Sequence, residues 1–249
     1  WKDRYSFTTT IYGIQATDNP SRILCASNDS GVFQAYVMDL ESGVYTQVTH
    51  KPTGTLFARL SSDGAYVFFQ QDEGGNELGH LVRCHVDSGK VIDLTPDLPP
   101  YGFSASAEAS GRLTFIAPSS RGFEVYQIEG ATSDTVSEPK LLWNSPALTS
   151  GLTISRDGKR IAVLNCARSN SIATSLIVLD ASSGDFIAEL YDEGASIEGG
   201  GPGNAVHFSP LVGDDRILAA TTRSGFSRPV IWNPDTNERI EIPLDELDG

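Results

Sequence analysis

The sequence predicts an all-β protein built from repeated four-stranded antiparallel units. Three observations carry this. First, Gly64, Gly111 and Gly158 each close a polar turn ahead of an apolar run (AYVFF, RLTFI, KRIAVL), and 111 − 64 and 158 − 111 are both 47. Second, a different turn follows each run: ESGVY, DSGKV and SSGDF carry Gly43, Gly89 and Gly184, with 89 − 43 equal to 46 and 184 − 89 equal to 95, close to two periods. Third, the runs between turns are rich in Val, Ile, Leu, Phe and Tyr, and helical periodicity is hard to find. A four-stranded unit returning every 40–50 residues is the signature of a β-propeller blade.

The elements follow in order. The first kind of turn joins strands one and two of a blade, and the second joins strands three and four. Aspartate and glycine suit both, because glycine accepts positive φ and aspartate bonds the local backbone. Looser copies of the first turn are Asn19-Pro20-Ser21 ahead of RILCAS and Gly213-Asp214-Asp215 ahead of RILAAT. The third unit reads EVYQIEG…PKLLW, its second turn lengthened by Ala131–Pro139. The stretch Glu193–Gly203 reads as a glycine-rich loop. Blades are expected at about 6–52, 53–98, 99–146, 147–193 and 194–249, forming one domain. A blade cannot bury both faces without neighbours, so five blades either close a small ring or belong to a seven-bladed one. The sole methionine is Met38 and the chain ends on the turn-like Leu247-Asp248-Gly249. Both favour a piece of a longer polypeptide, with a processed secreted protein as the alternative.

Composition excludes several classes. Apolar residues are 39% and charged residues 20%, as in an ordinary globular chain. No apolar run of about 18 residues suggests a membrane span. The net charge of −14 repels phosphate backbones and argues against nucleic acid. Cys25, Cys84 and Cys166 fall in apolar runs of separate repeats, with no Cys-x-x-Cys spacing. That pattern reads as reduced core thiols in a cytoplasmic protein.

Certain stretches point further. Ala58-Arg59-Leu60-Ser61-Ser62-Asp63-Gly64, the loop Asp72-Glu73-Gly74-Gly75-Asn76-Glu77, the blade-ending Leu94-Thr95, and GPGNAVHFSP with TTRSGFSRPVIWNP in the last repeat resemble the propeller of the prolyl oligopeptidase (S9) family of serine peptidases. The likeness is to its acylaminoacyl-peptidase-like branch. The resemblance spans nearly the whole chain, although TolB-like propellers share the Ser-x-Asp-Gly and Asp-x-x-Ser-Gly turns. It implies a non-catalytic propeller that caps an α/β-hydrolase domain carrying Ser, Asp and His and admits only peptides or small acyl substrates. The hydrolase domain is absent from this chain. A freestanding TolB-like scaffold for protein contacts is the second reading. A propeller lactonase or glycosidase is the third, disfavoured because the innermost strands (TLFARLS, GFSASAE, GLTIS, NAVHFS) are apolar and small.

Gly225-Phe226-Ser227-Arg228-Pro229 imitates a nucleophile elbow, but it ends in proline and lies between strands, so Ser227 is read as a turn residue and no catalytic residue is assigned. His50, His80, His85 and His207 show no metal spacing, and no metal or other cofactor is expected. His80 and His85 are an odd number of positions apart and should point to opposite faces of a strand. Gly199-Gly200-Gly201-Pro202-Gly203 lacks the Gly-Lys-Ser of a phosphate loop. Asp72, Glu73 and Glu77, gathered by Gly74-Gly75, are the candidate substrate-entry residues, where a cationic substrate group would be attracted. Solvated turn carboxylates are the plainer account of them.

Overall fold

The computed structural model describes residues 8–55, 57–102, 105–169, 172–201 and 205–243. Among these there is no helix, and the strands form five antiparallel sheets, the small blades of a β-propeller fold. Apart from one pairing each in the second and last sheets, hydrogen-bonded neighbours are neighbours in sequence, so each blade is in the main a meander joined by short turns.

The chain divides into two compact units: Trp1–Phe103 with Glu129–Pro139, and Ser104–Ile128 with Lys140–Gly249. The first unit holds two sheets. One runs β1 (Thr10–Gln15), β2 (Arg22–Ser27), β3 (Gln34–Asp39), β4 (Tyr45–Gln47). The other runs β5 (Ala58–Leu60), β6 (Tyr66–Asp72), β7 (Leu78–His85), β8 (Val91–Asp93), and β9 (Tyr101–Gly102) also pairs with the start of β7. The second unit holds three. They are β10 (Ala105–Ala109) to β13 (Lys140–Ser145) through β11 (Arg112–Ser119) and β12 (Gly122–Ile128); β14 (Thr149–Ile154) to β17 (Phe186–Leu190) through β15 (Arg160–Asn165) and β16 (Ser175–Asp180); and a last sheet of β18 (Ile197–Gly199), β19 (His207–Phe208), β20 (Ile217–Thr221), β21 (Arg228–Trp232) and β22 (Arg239–Glu241).

The turns lie where the repeat places them. Gly64, Gly111 and Gly158 connect the first and second strands of their sheets, and Gly43, Gly89 and Gly184 the third and fourth. The polar residues act as clips. The Ser61 hydroxyl donates to Asp63 (2.5 Å) and accepts the Tyr66 N–H (2.9 Å). Ser155 repeats this with Asp157 (2.8 Å) and Arg160 N–H (2.9 Å). Asp180 accepts the N–H groups of Ser182 and Ser183 at 2.8 and 2.9 Å and the Ser182 hydroxyl, which holds its carboxyl down to about 2.

The apolar cores lie between successive sheets of a unit. Ile161 and Val163 of β15 pack with Ile116 and Val125 of the preceding sheet, while Ala162 and Leu164 of the same strand pack with Ile217, Val230 and Trp232 of the following one. A strand covered on both faces must be apolar at successive positions, which is why these segments read as continuous runs. In the first unit, Leu24, Val37, Val67, Phe69 and Val82 build the equivalent layer. Each large side chain so buried contributes about 1.5–3 kcal/mol.

A repeated arginine joins neighbouring sheets. Arg22, opening β2, donates to the Gly64 carbonyl (3.2 Å) and to Asp87 (2.9 Å). Arg112, opening β11, reaches the Gly158 carbonyl (3.0 Å), and Arg160, opening β15, reaches Asp235 and Asp215 at 3.0 and 3.1 Å. The second sheet has Tyr66 at this place.

The stretch expected to be a glycine-rich loop is instead partly strand. β18 and β19 both pair with β20, at adjoining positions along it, and residues 202–204 between them lie outside the described residues. Gly200 makes the close approach possible: a Cβ there would stand 2.1 Å from the Ala219 carbonyl oxygen, a distance only glycine tolerates.

Candidate functional site

The acidic loop of the second sheet links β6 to β7, and its three carboxylates have different fates. Asp72 ends β6. Its side chain is only 7% exposed and forms an ion pair with Lys51 Nζ, itself 12% exposed. Glu73 and Glu77 are exposed. The loop closes through left-handed backbone at Gly74, Gly75 and, unusually for a residue with a side chain, Glu77 at φ 60°. Gly75 lies against Thr53: a Cβ at its position would be 3.3 Å from Thr53 Cγ2.

Lys51 comes from the connection between the first and second sheets, and a buried polar network fixes its backbone. Gln34, 2% exposed, accepts the Lys51 N–H (3.3 Å) and the Thr49 hydroxyl (2.8 Å), and donates to the Lys51 carbonyl (2.5 Å). Thr49 in turn accepts the Ala35 N–H (2.8 Å). Thr95 does the same for Leu81 N–H (3.1 Å) at the end of the second sheet, so the blade-ending threonine fastens the last strand to the third. Burial pulls the Lys51 ammonium below the ordinary lysine value, and the adjoining Asp72 carboxylate offsets that cost by favouring the charged form. A second ammonium proton goes to the Gln70 carbonyl at 3.3 Å. The Gln70 side chain ties the loop to β9, donating to the carbonyls of Glu77 (3.2 Å) and Tyr101.

These residues wall a cavity of about 550 Å³ inside the first unit, within the size range of small-molecule sites. Asp72 and Glu77 line it; Glu73 does not. Lys51, Gln70 and Thr55 add polar surface, and Val32, Phe33 and Phe57 add apolar surface. Phe57 is 74% exposed, whereas Thr55 is 6% exposed and its hydroxyl has no hydrogen-bond partner among the described residues. The arrangement offers a polar floor whose one cation is neutralised, a free carboxylate and an aromatic rim.

The other singled-out residues lie elsewhere. Ser227 is in the turn between β20 and β21 that Gly225 closes. His80 contacts the Asp93 carboxylate (2.8 Å) and His85 contacts Ser88 (3.2 Å). Among the described residues no group of three His, Cys, Asp or Glu side chains is placed to hold a metal ion. Cys25, Cys84 and Cys166 are free and buried, and burial raises all three thiols. In the second unit the half-buried Arg239 grips Asp192 with both Nη atoms (2.6 and 2.8 Å).

Known proteins share the architecture. No family model matches the chain, and no curated protein does. Among solved structures, TolB from Acinetobacter baumannii matches 95% of this chain over 55% of its own length, with TM-score 0.62 and 17% identity. A prolyl endopeptidase, from a study of inter-domain dynamics in catalysis and specificity, matches 96% of this chain over 37% of its own, with TM-score 0.69 and 18% identity. The oligogalacturonate lyase of Vibrio parahaemolyticus matches 93% over 65%, with TM-score 0.67 and 15% identity. The chain thus spans from about a third to two thirds of these proteins, and at such identities the likeness is one of fold: propellers of TolB, of a prolyl endopeptidase and of a lyase.

Proposed function

We propose that this chain is the non-catalytic gating propeller of an S9-like serine peptidase or esterase, restricting which substrates reach a hydrolase domain of the same polypeptide. The carrying observation is the extent of the prolyl endopeptidase match, 96% of this chain within 37% of that enzyme. That is the relation expected of one module to a larger hydrolase. The position of Ser227 in a strand-to-strand turn supports a non-catalytic role. The loop of Asp72, Glu73 and Glu77 would face the substrate route, with Glu77 at the cavity mouth and Asp72 structurally committed to Lys51. Peptides or small acyl compounds would be the substrates. The unpaired thiols support a cytoplasmic setting.

A fluorophosphonate probe, which labels activated serines, tests this. The full natural polypeptide should be labelled on a serine outside residues 1–249, and the isolated chain should not be labelled. Labelling within the chain, at Ser227 above all, overturns the reading. An unlabelled natural polypeptide favours the second reading, a TolB-like scaffold, which the TolB match over 95% of this chain supports.

A further inference from the structure

We propose that the cavity of the first unit is a binding site for an organic monocation with an apolar body, such as an arylalkylamine or the side chain of a lysine beside an aromatic residue. Its charges point there. Lys51 and Asp72 neutralise each other, which leaves Glu77 as the uncompensated charge among the lining residues. No partner atom of the Glu77 carboxylate occurs among the described residues. Its backbone is held instead: the N–H points to Asp72 Oδ2 (3.4 Å) and the carbonyl accepts from Gln70 (3.2 Å). The left-handed backbone at Glu77 is already fixed, so binding need not order the main chain there.

The rim supplies the other half of the recognition. Phe57 is exposed at 74% and Val32 at 37%, which leaves apolar surface open to a ligand. Both belong to the same cavity as the carboxylate. An aromatic face attracts a cation as well as covering hydrocarbon, so one ligand uses both features. The Thr55 hydroxyl in the same wall, without a hydrogen-bond partner among the described residues, is a further polar atom open to a ligand. An anion would meet Glu77 unopposed, and a plain hydrocarbon would leave the carboxylate unused.

This deepens the substrate-entry reading, yet its test needs no hydrolase. The pure chain is titrated at low salt with phenylpropylamine, phenylpropanol and phenylpropionate, followed by calorimetry. The amine should bind about fivefold tighter than the alcohol, the scale of a partly exposed ion pair, and the propionate weakest. The preference should shrink as salt rises. Glu77→Gln should abolish the amine–alcohol difference, Glu73→Gln should keep it, and Phe57→Ala should weaken both ligands alike. An acetylated, amidated Phe-Lys dipeptide compared with its Phe-norleucine analogue tests the peptide source. A preference for lysine there, absent with the free amine, assigns the site to peptides, and the reverse assigns it to small amines. Equal binding within both pairs, amine with alcohol and Phe-Lys with Phe-norleucine, or no binding of amine and dipeptide alike, overturns the proposal while leaving the labelling result intact.

Discussion

Asp72→Asn is expected to destabilise the chain, because the Lys51–Asp72 pair is shielded from water at both ends. The two side chains are 12% and 7% exposed. Without the carboxylate the ammonium keeps only the Gln70 carbonyl at 3.3 Å. Breaking a fully buried pair by removing one partner costs about 3–5 kcal/mol, and the residual exposure here brings the expectation to about 2–3 kcal/mol. For a chain of this size that lowers the melting temperature by about 4–12 °C. Lys51→Met paired with Asp72→Leu removes both charges together and should return to within about 1 kcal/mol of the wild type. Urea unfolding of Lys51→Met, Asp72→Leu, their double and the wild type, with unchanged m values, measures the coupling. An Asp72→Asn variant within about 0.5 kcal/mol of wild type refutes the reasoning, as does a double variant as unstable as the sum of the singles.

Three further outcomes follow from the geometry. Gly200→Ala puts a Cβ 2.1 Å from the Ala219 carbonyl oxygen and should cost about 2 kcal/mol or more by thermal melt; a neutral alanine would mean that β18 does not lie against β20. Asp180, held to about 2, has a folded pKa below its unfolded value, so its contribution is present above about pH 4 and fades as pH falls toward 2. Screening limits it to about 1 kcal/mol, and Asp180→Asn should flatten the loss of stability between pH 5 and pH 3, whereas an unchanged profile contradicts the turn geometry. The buried, raised thiols of Cys25, Cys84 and Cys166 should resist a maleimide in the native chain and all react in urea; an intramolecular disulfide or rapid native labelling would contradict their burial.

The blades were legible in the sequence because turns are local. Ser-x-Asp-Gly fixes its own hydrogen bonds within five residues, as Ser61 and Ser155 show, so periodicity announces it. Burial on both faces was legible too, in the unbroken run of β15. The cavity was only half legible. The acidic loop stood out by composition, but Lys51, nineteen residues before Gln70, carried no sign of where it would lie. Its place depends on Gln34 and Thr49, polar residues at strand ends that look like ordinary surface. Nothing in the loop separates Asp72, shielded beside Lys51, from the exposed Glu73 and Glu77, because burial is set by packing between sheets, which spacing does not encode. β18 escaped notice because Gly199 and Gly200 lack the side chains by which strands are recognised, and their missing Cβ atoms are what admit the Ala219 backbone.

The proposed gating role is tested most directly by substrate size. The full natural polypeptide is given a short peptide, then the same peptide carried in an exposed loop of a folded protein, and kcat/KM is compared. The account predicts cleavage of the short peptide alone. Excising residues 1–249, if the remainder stays folded, should bring the two substrates closer to equality. Comparable cleavage of both by the intact polypeptide would contradict the account.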